Sequence, residues 1–186
     1  VDIFVQFETV EDTKGNEMLP DLLKAIKEKQ VVTFEYTSFI SDKTKGRRVL
    51  PLLLKEYRNR WYLICFSLSK KKVITFALDR MSTLEITEEF YYDPIDFDPD
   101  HYFKNSIGIT ANENAPEKVV FKIDKIGAKY VISQPLHRSQ KVIKEGNNRT
   151  TFELDVIISE ELKRTILSYG SQIEIIKPKA LRKEIK

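Results

Sequence analysis

One cysteine, Cys65, stands in 186 residues, so the chain by itself closes no disulfide and builds no cysteine-based zinc site. Glycine is scarce. The six glycines, at 15, 46, 108, 127, 146 and 170, match neither the dinucleotide fingerprint nor the phosphate-binding P-loop. The two histidines, His101 and His137, lie far apart in sequence with no clustered cysteine, so no metal site is expected. Asp96, Asp98 and Asp100 open like a calcium loop, but His101 takes the place of its glycine and Ile107 that of its closing glutamate. No serine sits in a nucleophile elbow and no general base stands out, so the chain reads as a non-enzyme with no catalytic residue and no cofactor. No apolar run approaches the roughly 20 residues of a membrane-spanning helix, and Val1–Val10 lacks the basic and apolar regions of a signal peptide. The expectation is a cytoplasmic protein. A start on valine predicts that a longer protein continues upstream.

What is present is a soluble mixture, 41% hydrophobic and 32% charged, which predicts a packed core. The net charge is only +3, but its distribution is uneven. Asp42–Lys72 carries ten basic residues against two acidic ones, a surface suited to an anionic partner. Residues 117–186 are also basic, whereas Tyr91–Pro116, with Asp93, Asp96, Asp98, Asp100 and Glu113 against Lys104, is acidic and reads as a solvated boundary.

The periodicities place elements on either side of that boundary. Leu19, Leu22, Leu23 and Ile26 recur at helical spacing over Leu19–Lys29. Val31–Thr37, Arg47–Leu54, Trp61–Leu68 and Lys72–Leu78 read as strands, with a short fifth at Leu84–Ile86. Trp61, Leu63 and Cys65 alternate with Tyr62, Ile64 and Phe66, so this strand is apolar on both faces, as in a small, strongly rolled barrel. Downstream, a strand at Lys118–Asp124 leads into a helix capped by Asp124, then a hairpin of Lys141–Glu145 and Thr150–Ile158. A helix starting at Ser159 and a strand at Ser171–Ile176 complete the order βαββαβ of a split ferredoxin-like sandwich. The expected organisation is an N-terminal segment 1–17, a barrel domain 18–90, the acidic connector 91–116 and an extension 117–186.

The barrel region mixes basic and aromatic residues on short strands: Phe34, Tyr36, Arg47, Arg48, Arg58, Arg60, Trp61, Tyr62 and Arg80. Arginine forks pair with phosphate oxygens and stack on bases, and aromatic rings accept bases with little sequence preference. Phe34, Trp61 and Leu63 read as core. Tyr36 and Tyr62 divide evenly between core and contact, Arg58 and Arg60 sit in an exposed turn, and Arg47 and Arg80 sit at strand ends. Arg80 falls in phase with Phe76 and Leu78, which points its head to a barrel mouth.

Phe34-Glu35-Tyr36, Arg47-Arg48-Val49-Leu50-Pro51, Arg60-Trp61-Tyr62-Leu63 and Thr75-Phe76-Ala77-Leu78-Asp79-Arg80-Met81 follow in order and resemble the successive motifs of the WYL domain. His137-Arg138-Ser139-Gln140, Tyr169-Gly170, Glu174, Pro178 and Leu181-Arg182 resemble the C-terminal extension that often follows it. The resemblance implies an α+β chain, an Sm-like or SH3-like barrel followed by a ferredoxin-like extension. It also implies a homodimeric transcriptional regulator with an upstream helix-turn-helix DNA-binding domain. The barrel would sense an anionic ligand, a nucleotide or single-stranded nucleic acid. By motif, Tyr36, Arg47, Tyr62 and Arg80 match positions lining the family's ligand groove, with Arg48, Arg58, Arg60 and Lys72 as further nucleic-acid contacts. Ile74 stands where members commonly carry arginine, with Lys70, Lys71 and Lys72 nearby. The alternative is a protein–protein interaction module, or an accessory regulator of a CRISPR or phage-defence system.

Overall fold

A computed structural model describes residues 14–111 and 115–185. Most of the expected N-terminal segment and Glu113 of the connector lie outside the described residues. The chain divides into two units, Val1–Phe97 and Asp98–Lys186, each with its own apolar core.

The first unit opens with helix α1, Leu19–Glu28, with Pro20 in its first turn and Lys29 in the left-handed conformation ending it. Leu22 and Ala25 face the core, whereas Leu23, expected on the apolar face, is exposed. Five antiparallel strands follow: β1 Gln30–Thr37, β2 Thr44–Tyr57, β3 Arg60–Ser67, β4 Lys72–Ala77 and β5 Met81–Phe90, ordered β4-β3-β2-β1-β5. Strand β2 is long because it serves two partners in succession. Its first half pairs with β1 up to Val49, and its second half pairs with β3 from Val49 onward. Pro51 lies where the register shifts, a place where its missing N–H and the bulge bend the strand. The sheet therefore rolls, but it does not close: β4 and β5 are its two edges, which corrects the expectation of a closed barrel.

Strand β5 spans ten residues rather than three. As an edge strand it shows water a polar face of Ser82, Thr83 and Glu85, so it lacks the apolar run that marks a buried strand. Leu78–Arg80 forms a 3-10 turn between β4 and β5. Gly15 packs on that turn with φ of 97°, and a Cβ there would lie 2.6 Å from the backbone of Leu78, so only glycine fits.

The second unit contains a short helix α2, Pro99–Tyr102, then β6 Glu117–Asp124, α3 Lys125–Ser133, β7 Lys141–Lys144 and β8 Arg149–Val156. Helix α4 Glu160–Leu167, β9 Ile173–Lys177 and a further helix α5 Lys179–Ile185 complete it. The sheet order is β7-β8-β6-β9, all antiparallel. Phe121 stacks on Phe152 with centroids 5.3 Å apart, and Leu154, Leu162, Ile166 and Leu181 close the core around them. The caps were readable from sequence: Asp124 Oδ1 accepts from Gly127 N at 2.7 Å and Ser159 Oγ from Leu162 N at 3.2 Å. The acidic stretch is more than an extended linker. Asp98 caps α2, Pro99 starts it, and Ile107 enters the core of the second unit.

Candidate ligand-binding face of the first unit

Phe76, on β4, is the floor of the candidate site. It packs beside Leu63 and meets Phe34 and Tyr36 edge-on, with ring centroids 5.2 and 4.7 Å away. Register brings Arg47 to this floor, because β2 pairs Arg47 with Phe34 and alternation puts Arg47 on the core side with Val49. Its guanidinium carbon lies 5.7 Å from the Phe76 ring centroid, within cation–π range. Arg47 Nε is buried with no hydrogen-bond partner, a cost that native structures seldom carry without a reason. A cavity of about 130 Å³ beside it is bordered by Ser69, Lys70 and Ile74. A shallower depression of about 350 Å³ adjoins Arg47 between Thr33, Glu35, Arg48 and Thr83. Lys70 reaches the first cavity from the β3–β4 turn, where Ser67 Oγ accepts the Lys70 N–H at 3.2 Å. A cation thus borders the place where Ile74 departs from the usual arginine.

Arg80 enters at the same end of β1, since Met81 pairs with Tyr36. It lies on the 3-10 turn and not on β4, so its direction follows from the turn rather than from strand phase. Its guanidinium lies 4.2 Å from the ring centroid of Phe39, in the β1–β2 loop. Phe39 is 67% exposed and Ile40 beside it fully so. Asp79 stands between two arginines, with Oδ2 3.2 Å from Arg60 Nε and Oδ1 3.7 Å from Arg80 Nε. Arg80 Nε and Asp79 Oδ1 are buried without a hydrogen bond.

Three of the four expected ligand residues, Tyr36, Arg47 and Arg80, therefore gather at one end of the sheet. Tyr62 does not join them: it is buried on the opposite face of β3 from Leu63 and Cys65. Among the further contacts, Arg48 pairs with Glu89 and Arg60 with Asp79, Arg58 lies 5.4 Å from the Tyr57 ring, and Lys72 is exposed at the start of β4. Sequence reasoning missed Phe39 and Asp79 as site residues. An aromatic residue in a polar loop, and the Asp-Arg pair, were the available signals. Burial pushes the Cys65 thiol far up, and its S–H faces Ile74 O at 3.4 Å, which makes it an inert core group.

In the second unit, His137-Arg138-Ser139-Gln140 is a staple. His137 Nε2 meets Lys104 O at 3.0 Å while Nδ1 accepts the Ser139 N–H at 3.1 Å, an arrangement that needs the neutral Nε2–H tautomer. Arg138 donates to the Lys104 and Asp100 carbonyls, Ser139 Oγ bridges the Asp155 backbone, and Gln140 donates to Val131 O. Burial is the main reason that the His137 pKa lies below its ordinary value.

The WYL domain model matches residues 17–86 and the WCX domain model residues 115–186. None of the curated proteins compared with the chain matches it. Among solved structures, proteasome accessory factor B/C (PafBC) of Arthrobacter aurescens is 20% identical, with a TM-score of 0.46 over 95% of this chain and 27% of that one. A CRISPR Cas-related protein is 16% identical, with a TM-score of 0.56 over 89% of this chain and 47% of that one. The chain thus spans less than half the length of either. Among the described residues no helix is long and apolar enough to cross a membrane. With the two family models covering the two units in order, the chain belongs to the WYL-domain proteins that carry a C-terminal WCX extension.

Proposed function

We propose that this chain is the ligand-sensing, regulatory part of a WYL-family transcriptional regulator and takes an anionic ligand, a nucleotide or single-stranded nucleic acid, on the Arg47–Phe76–Arg80 face. The observation that carries the reading is the meeting of two arginines with aromatic rings, each arginine retaining a buried Nε without a hydrogen bond. Phosphate oxygens would satisfy those donors, and bases stack on guanidinium planes and rings alike. Arg47 and Arg80 bind phosphate, and Tyr36 lends its ring edge. Lys70 supplies charge beside Ile74, while Tyr62 supports the strand from behind. Phe39 covers the stacking face of Arg80, so a base reaches that face by displacing the loop.

The same reading takes the first sheet as an opened Sm-like roll and the second unit, with its βαββαβ order, as ferredoxin-like. It includes a homodimer, an upstream helix-turn-helix domain, a cytoplasmic location and no enzymatic turnover. Fluorescence anisotropy with labelled single-stranded DNA and RNA, at low and high salt, tests it. Binding that weakens steeply with salt and falls roughly ten- to a hundredfold in Arg47→Ala is the expected result. No binding to any strand would instead favour a small anionic metabolite or a protein partner, for which the exposed Phe39–Ile40 loop is a candidate contact.

A further inference from the structure

A cavity of about 600 Å³ lies in the second unit, between the end of α4, β9 and α5. Its size is in the range that holds small molecules. The walls are apolar, built by Ile166, Leu167, Ile173, Ile175 and Ile185. At the rim, Glu174 holds Arg149 and Arg182 together: one carboxylate oxygen is 3.3 Å from Arg149 and the other 2.9 Å from Arg182. Two positive charges therefore share one negative charge. Each guanidinium has five N–H donors. All three side chains are 41–44% exposed, so the bridge is an exposed one that rearranges at little cost. Across the sheet Glu174 is paired with Lys122 and Arg149 with Asp124, whose Oδ1 already caps α3. The neighbouring charges thus leave the rim with a net positive charge.

We infer that this cavity is a second binding site, independent of the first unit's face, for a small amphipathic anion whose apolar body fills the isoleucine-lined cleft and whose acidic head bridges Arg149 and Arg182. An apolar cleft with a cationic rim recognises that combination and disfavours both halves taken separately. A neutral apolar molecule leaves the guanidinium donors to water, and a bare anion gains little against exposed arginines. The head could be a carboxylate, a sulfonate or a phosphate, since all three offer the paired oxygens that an arginine fork accepts.

The test uses the full chain and the fluorescent probe 1-anilinonaphthalene-8-sulfonate, with decanoate, decyl phosphate and decanol as competitors. One saturable site per chain is expected, weakened roughly fivefold or more in Arg149→Ala and in Arg182→Ala, each shown by circular dichroism to be folded. Glu174→Gln, which removes the competing carboxylate, tightens binding. Decanoate or decyl phosphate displaces the probe, and the stronger of the two identifies the preferred head; decanol does not displace it. The proposal is overturned by absence of a saturable site, by native affinity in both arginine variants, or by decanol competing as well as decanoate. Displacement by decanoate, which has no ring to stack, together with the response to Arg149→Ala and Arg182→Ala, separates the result from the fate of the nucleic-acid reading.

Discussion

The two units treat their motif residues in opposite ways. In the first unit, Arg47 and Arg80 rest against aromatic rings and each keeps a buried Nε without a hydrogen bond, that of Arg80 lying 3.7 Å from Asp79 Oδ1. In the second, the His137–Gln140 run spends its polar atoms on backbone groups from Asp100 to Asp155. A buried polar group without a hydrogen bond costs about 1–3 kcal/mol, so most buried polar groups in folded proteins have a partner. A satisfied network needs no visitor; it holds a loop in place. The contrast teaches that a motif residue's role is read from what its polar atoms do. By that measure the second unit's run is a structural clasp, and the first unit's arginines hold the donors that the proposed ligand would satisfy.

The comparison breaks most severely at Phe76. Truncation to alanine removes the floor beneath Tyr36 and Arg47 and leaves a cavity in the core; a loss of about 3–5 kcal/mol is expected by urea denaturation. Arg47→Ala is the sharper test, because it leaves the core intact. Losing charge-assisted bonds worth about 1.5–3 kcal/mol should weaken oligonucleotide binding roughly ten- to a hundredfold, with an unchanged melting temperature. The clasp answers to pH instead. His137 has a folded pKa below its ordinary 6.5, so the unfolded chain binds the extra proton first. Its stabilising contribution is complete above about pH 6.5 and is lost as pH falls through the folded value. Thermal unfolding between pH 7.5 and 5 should therefore show a steeper decline for the native chain than for His137→Gln. An identical slope would mean that the imidazole does not clasp the loop. Smallest of all is Tyr62→Phe: with the ring on the far face of β3, oligonucleotide affinity should stay within about twofold.

Much of this was available from local rules. The Arg58-Asn59-Arg60 turn carries positive φ at Arg58 and Asn59, as a tight hairpin requires. Asp124 and Ser159 cap the helices they precede. The βαββαβ order and the antiparallel ladder follow from alternation and turn chemistry. The apolar pattern marks only Leu84–Ile86 of strand β5, because an edge strand takes its definition from its partner rather than from its own apolar residues. Helix α5 carried too few apolar residues to mark itself, and docking against β9 stabilises it.

Sequence alone determined the family, the order of the strands and the residue types that could meet an anion, because motif spacing, capping and alternation are local properties of the chain. Tertiary structure decided which of those residues meet. Register across β2 set Arg47 on Phe76, and the turn packed on Gly15 gave Arg80 to Phe39. Strand parity sent Tyr62 to the far face. The physical reason is that a side chain's partner depends on register and on how a sheet rolls. Both are set by contacts between segments far apart in sequence, so no single segment carries them.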